Sequence, residues 1–315
     1  MKINTVQVSS QRPKEYKQKS ELKSRIKRQK AILILLIPGV LWYLIFKYAP
    51  MAGAITAFTD YGTKADISFI GLDNFRQLFG SPGFWGAFRN TLLISLYNLL
   101  FYFPLPIILA LLMNEVVILR LKRAIQFIVY IPHFFSWVVI GAIFSMVLSP
   151  SNGFVNQIIN YFGAEPQYFM VDPKWFRSIL VSSYIWRDVG YGTIIYIATI
   201  SSIDEQLYDA ATVDGAGYWG KLLYVTLPSL KSTIATVLLL TVARILLIFE
   251  QVLVMYVPPV YSVSEVLTTY SFTEGLLNGN IGYATAVSLF TAVISAILVI
   301  GCNKASKKFL DESIL

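Results

Sequence analysis

The chain has 315 residues, 56% of them hydrophobic and only 14% charged, with a net charge of +8. Soluble domains carry about 25% charged residues, so an ordinary soluble protein is excluded and a membrane protein is indicated. The lone Cys302 excludes an internal disulfide, and the single histidine, His133, leaves no second imidazole for a His-based metal site.

Taken in chain order, residues 1–30 hold ten Lys and Arg residues and lead into an apolar run. This resembles the start of a signal peptide, but no small-residue cleavage site follows. The segment is therefore expected to be a basic cytoplasmic tail before an uncleaved anchor. A helical span needs about 20 mostly apolar residues, and six stretches qualify, at about 31–59, 91–113, 124–148, 176–200, 228–253 and 281–300. None alternates with period two, so barrel strands are excluded and helices, which satisfy their own backbone in lipid, are predicted. The expected fold is an all-α membrane protein with six transmembrane helices in one domain over 31–315.

Orientation follows from Lys and Arg in the connections. With the N terminus inside, 18 fall on the inner side, 6 on the outer side (Lys47, Lys64, Arg76, Arg89, Lys174, Arg177) and two, Arg187 and Arg244, within spans. Both termini are therefore expected in the cytoplasm. The positive charge suits an anionic lipid surface and gives no reason to invoke nucleic acid. The three outer connections are long and rich in Gly, Pro, Asn and aromatics, with room for short interfacial helices. They suit either belt packing or docking of an extracytoplasmic partner.

The connection after the fourth span, about 201–227, then lies on the inner face. Within it, "DAATVDGAGYWGKLLYVTLP" is polar and glycine-punctuated, between two apolar runs. Ser202 and Glu205 have capping-box spacing, which predicts a short helix starting there. Gly215 and Gly217 should end it, and Pro228 suits the first turn of the fifth span. A short exposed helix with small Ala210 and Ala211, held between two spans, suits a groove on another protein.

"DAATVDGAG", followed after nine residues by "LP", resembles the EAA loop of permease subunits in binding-protein-dependent ABC importers. Ala210, Ala211, Asp214, Gly215, Ala216, Leu227 and Pro228 match, and Asp209 stands where the family usually has Glu. Gly217 completes the segment. The stretches "FIGLDNF", "YIPHFFSWVVIG" and "FEQ" are similar to the carbohydrate-uptake branch, especially its oligosaccharide (LplB-type) permeases. The resemblance implies a type I ABC importer permease fold in the cell membrane of a prokaryote. It also implies a heterodimer with a related permease, two cytoplasmic ATPases and an external solute-binding protein, with Asp209–Gly217 as the helix that couples to the ATPase. The chain has no GxxxxGK[ST] loop, so no cofactor is expected here. ATP and Mg²⁺ are assigned to the partner ATPase.

Charges inside a membrane expect a reason. Arg187 and Asp188 fall near the middle of span four, Arg244 at similar depth in span five, and Glu250 farther out beside Gln251. Two readings stand side by side. Either an Arg–Asp pair braces spans four and five, or Asp188, Glu250 and Gln251 line a hydrated cavity for sugar hydroxyls, with Tyr184 and Tyr191 nearby. Trp186 and Tyr196 are weighed in the same way, and each aromatic packs more readily than it binds. His133, next to Pro132, reads as a hydrogen-bonded kink residue. An ion-coupled carrier using Asp188 or Glu250 as a proton relay, or an importer of a non-sugar solute, is the alternative.

Overall fold

The computed structural model describes residues 29–63 and 67–310; most of the basic tail, and Lys64, lie outside them. Among the described residues the chain is helical with no strand, apart from the isolated bridge Thr59–Phe69. Two compact units divide at Ile55/Thr56. The described part of the first carries helix from Lys30 onward, and its apolar side chains lie open, Leu35 at 79% exposure.

Among the described residues, four helices are long and apolar enough to cross a membrane: Lys30–Phe58, Pro82–Asn114, Tyr218–Arg244 and Ile281–Lys308. A fifth is obtained if the bent pair Leu119–Phe134 and Trp137–Val147 counts as one span. The remaining expected span is the Pro173–Ser201 helix, 29 residues long, about 43 Å at 1.5 Å per residue. It carries Lys174, Arg177, Arg187 and Asp188 among its apolar residues.

Several expected boundaries move, each for a local reason. The second span starts nine residues early, at Pro82, because Ser81 caps it by accepting from the Phe84 N–H and Pro fits the first turn. The third span is not one helix. It tightens at Ile131–Phe134, goes extended at Phe135 and restarts under a Ser136 cap, with a 105° bend. The fifth span stops at Arg244 rather than running to 253, and the short helix Glu250–Met255 follows after an unwound stretch. Pro228 does not start a helix but lies within the continuous Tyr218–Arg244 segment.

The reason a proline is tolerated there recurs. Pro50, Pro104 and Pro228 each follow, by two residues, a five-residue π turn: Leu44–Tyr48, Asn98–Tyr102 and Leu222–Thr226. A proline lacks an N–H and its ring clashes with the carbonyl four residues back. A wider turn just upstream re-routes the ladder, as where the Phe103 N–H donates to the Asn98 carbonyl.

The connections at the end opposite Glu205–Val213 contain short helices: Asp73–Gly80, Phe154–Tyr161, Tyr261–Ser264 and Leu267–Phe272. Buried amides pin them. Asn74 donates to the Ala57 and Thr59 carbonyls. Asn90 donates to Ser262 and Glu265 carbonyls and accepts from Arg177 at 2.8 Å. Asn156 donates to Leu148, Ser149 and Gln167 carbonyls and accepts from the Gln167 N–H at 2.8 Å. Loop backbone buried away from water needs such partners. Half-buried Glu265 pays for its position, since burial first and the neighbouring Glu274 charge second push its carboxyl above the usual range.

Candidate functional site

The connection between the Pro173–Ser201 and Tyr218–Arg244 helices is closed by its own caps. Helix Glu205–Val213 is capped by Asp204, whose carboxylate accepts from the Gln206 N–H at 3.0 Å. Ser202 is therefore not the cap; its hydroxyl donates back to the Thr199 carbonyl, so the helix starts later than the capping-box spacing suggested. The far end closes as a Schellman motif. Gly215 has φ +80°, its N–H donates to the Thr212 carbonyl, and the Ala216 N–H donates to that of Ala211 at 2.8 Å. Only glycine enters that backbone region cheaply. Asp209, Ala210, Asp214, Gly215 and Gly217 are exposed, Ala211 and Ala216 half-buried, and no residue of the helix is fully buried. Val213 at 88% and Trp219 at 69% exposure, with Leu207 and Tyr218, leave apolar surface open. Such surface marks an interaction face. Tyr208 anchors the helix through a 2.9 Å hydroxyl contact with Thr226, in the π turn that leads into the Tyr218–Arg244 helix.

The intramembrane candidates separate into two groups. Tyr184, Tyr191, Arg244, Glu250 and Gln251 line one cavity of about 700 Å³, within the size range of ligand pockets. Arg187 and Asp188 do not line it. Asp188 is buried behind the wall, 2.6 Å from His133 Nδ1 and accepting from Arg187 Nη1 at 3.1 Å. The expected brace between Asp188 and Arg244 is absent: the partners of Asp188 are its own neighbour and the histidine at the helix break.

This hidden cluster shapes the wall. His133 stacks on Tyr191 with centroids 3.8 Å apart, and Arg187 lies 4.7 Å over the Trp137 ring while donating to the Phe135 carbonyl. Trp137 in turn stacks on Tyr184. Both sides of the break are thus held to the Pro173–Ser201 helix, and two wall aromatics are fixed by charges outside the cavity. Gly190 allows the approach, because a Cβ there would lie 2.0 Å from the Val129 carbonyl oxygen. Gln251 faces the wall but is committed, donating to the Leu180 carbonyl and the Ser183 hydroxyl. Trp186 is exposed and Tyr196 buried, and neither lines the cavity.

Sequence reasoning missed Asn98, Tyr102 and Trp137 as wall residues. Asn98, an amide within an otherwise apolar run, was the available signal. Among the described residues, the guanidinium of Arg244 has no hydrogen bond or ion pair. Arg244 is exposed and ends the Tyr218–Arg244 helix. Its place in the last turn of that helix is favourable by about 0.3–1 kcal/mol.

Residues 102–303 match the family described as binding-protein-dependent transport system inner membrane component. The chain is 40% identical to the polygalacturonan/rhamnogalacturonan transport system permease protein YteP of Bacillus subtilis (strain 168), over 91% of each chain. It is also 40% identical to Protein LplB of the same organism, over 92% of each. Among solved structures, it is similar to a chain of a bacterial ABC transporter involved in the import of the acidic polysaccharide alginate. The identity there is 40% and the TM-score 0.85, covering 92% of this chain and 99% of the other. The same transporter type has also been crystallised in complex with an alginate pentasaccharide-bound periplasmic protein, at 39% identity and TM-score 0.85.

Proposed function

The chain belongs to the family of inner membrane components of binding-protein-dependent transport systems, and from that premise we propose that it forms half of the pathway of an ATP-driven oligosaccharide importer. It works in the cell membrane of a prokaryote as a six-span subunit with both termini in the cytoplasm, beside a related permease. Two cytoplasmic ATPases bind ATP and Mg²⁺, and an extracytoplasmic protein delivers the solute. The sugar-transport names of its relatives and the aromatic cavity support an oligosaccharide as cargo.

The observation that carries this reading is the helix Glu205–Val213: rigidly closed, exposed, and set between two long helices. Docked in an ATPase cleft, Asp209–Gly217 moves when ATP draws the ATPases together. That motion passes through the Tyr208–Thr226 contact into the helices lining the cavity. ATP drives the change because it binds one state more tightly than the other; a ligand without that preference shifts nothing.

The test is purification from the native host in mild detergent, with identification of co-purifying subunits and assay of sugar-stimulated ATP hydrolysis. A second permease, an ATPase and sugar-stimulated hydrolysis are expected. Gly215→Trp should abolish transport and uncouple hydrolysis while the protein stays folded. Transport that survives Gly215→Trp, or a lone subunit with no ATPase even after crosslinking, overturns the reading.

A further inference from the structure

We infer that Arg244 reads a carboxylate on the solute, so that the permease passes oligosaccharides containing acidic, uronate-type units in preference to neutral ones. The inference rests on the oligosaccharide reading above and adds to it the charge of the cargo.

Three features of the cavity carry it. The first is the guanidinium itself. Of the four intramembrane charges, Arg187 and Asp188 satisfy each other, whereas Arg244 makes no ion pair among the described residues. Glu250 shares the cavity wall but lies beyond 4.0 Å of the guanidinium, so it does not neutralise it. The second is Asn98. Its side chain is only 4% exposed, lies on the same wall, and its Oδ1 has no hydrogen-bond partner among the described residues. A buried acceptor left unpaired is costly, and it sits in a π turn, a geometry common at functional sites. The third is the pair of aromatic faces, Trp137 and Tyr184, which stack on each other with Arg187 over the Trp137 ring.

A uronate unit complements all three. Its carboxylate matches the planar fork of arginine, its hydroxyls donate to Asn98 Oδ1 and Glu250, and its apolar ring face covers an aromatic. A neutral sugar supplies the last two and leaves the guanidinium with hydroxyl acceptors only. An arginine without an ion pair and a buried unpaired acceptor, both in the lining of one aromatic cavity, thus make a site completed by an anionic, hydroxyl-rich ligand.

The experiment uses the whole transporter with its binding protein in proteoliposomes. The probes are galacturonate and mannuronate oligosaccharides, each beside its carboxyl-reduced neutral counterpart. Binding-protein affinity is measured separately, so that uptake is compared at equal saturation. Wild type should favour the acidic member of a pair. Arg244→Gln should lower acidic uptake about ten- to a hundredfold, the range of a lost charge-assisted hydrogen bond, and leave neutral uptake within about threefold. Arg244→Lys should retain part of the preference, and Asn98→Leu should reduce both. Equal wild-type uptake of both members overturns the inference, as does an equal loss of both in Arg244→Gln. So does failure of that variant to assemble, which would make Arg244 a bridge between subunits. If neither sugar is carried while another solute class drives hydrolysis, the oligosaccharide reading fails, and the inference falls with it.

Discussion

The two ends of the molecule are built on opposite plans. At one end, Asn74, Asn90 and Asn156 are buried and each fastens two or more backbone carbonyls, so irregular connections are held as firmly as a core. At the other, Glu205–Val213 has no buried residue, and among the described residues the one side-chain hydrogen bond it makes outside its own flanks is Tyr208 to Thr226. The first end takes its shape from tertiary hydrogen bonds. The second takes it from its own caps, Asp204 and Gly215, and is free to be moved as one piece.

The contrast can be tested by substitution. The largest effect is expected for Asn156→Leu, which leaves three carbonyls and the Gln167 N–H without their partner. Thermal or denaturant unfolding in detergent should show a loss of about 3 kcal/mol, since each buried unsatisfied group costs about 1–3 kcal/mol. A loss below about 1 kcal/mol would remove the distinction between the ends. Next, Gly215→Val should cost about 1–2 kcal/mol from left-handed backbone strain. Because the element is self-contained, proteolytic cutting near 214–217 should rise faster than the global unfolding midpoint falls.

A smaller effect concerns pH. Glu265 has its folded pKa raised by burial, so the protein is most stable with that group neutral. Stability should decline as pH rises through the folded pKa, and Glu265→Gln should flatten that slope. A slope of the opposite sign would show the carboxylate to be paired when folded. The smallest effect on stability is expected for Val213→Asp, within about 0.5 kcal/mol. The same change should weaken capture of the ATPase subunit, measured by co-purification. Intact capture would place the docking face elsewhere.

Features that depend on local chemistry were legible in the sequence. The apolar runs located the long helices to within about three turns, and Gly215 marked the end of the Glu205–Val213 helix. Where the reading failed, a cap or a distant partner decided the outcome. In the third span Pro132 and His133 mark a kink, and His133 is hydrogen-bonded there as expected; the full 105° break is hidden because Phe134 and Phe135 are as oily as their surroundings, with only Ser136 capping the restart. Depth alone pairs Asp188 with Arg244 in one of its two readings. Its partners are instead the adjacent Arg187 and His133, 55 residues away at that break. Gln251 lines the cavity as expected, but its amide N–H group donates to a carbonyl 71 residues distant, which leaves its oxygen as the group able to accept from a solute. No spacing rule reaches that far.

The π turns before Pro104 and Pro228 have a consequence for how these helices tolerate change in length. Each holds one residue more than an α-helical turn would use. Each residue turns a helix by about 100°, so deleting one from Asn98–Tyr102 spins everything on one side of it against the other. Side chains that share a face across the joint, including Asn98 at the cavity, lose their alignment although the helix itself becomes more regular. Such a deletion is a phase error rather than a loss of material. A compensating insertion farther along the same helix should restore the facing pattern where a second deletion does not.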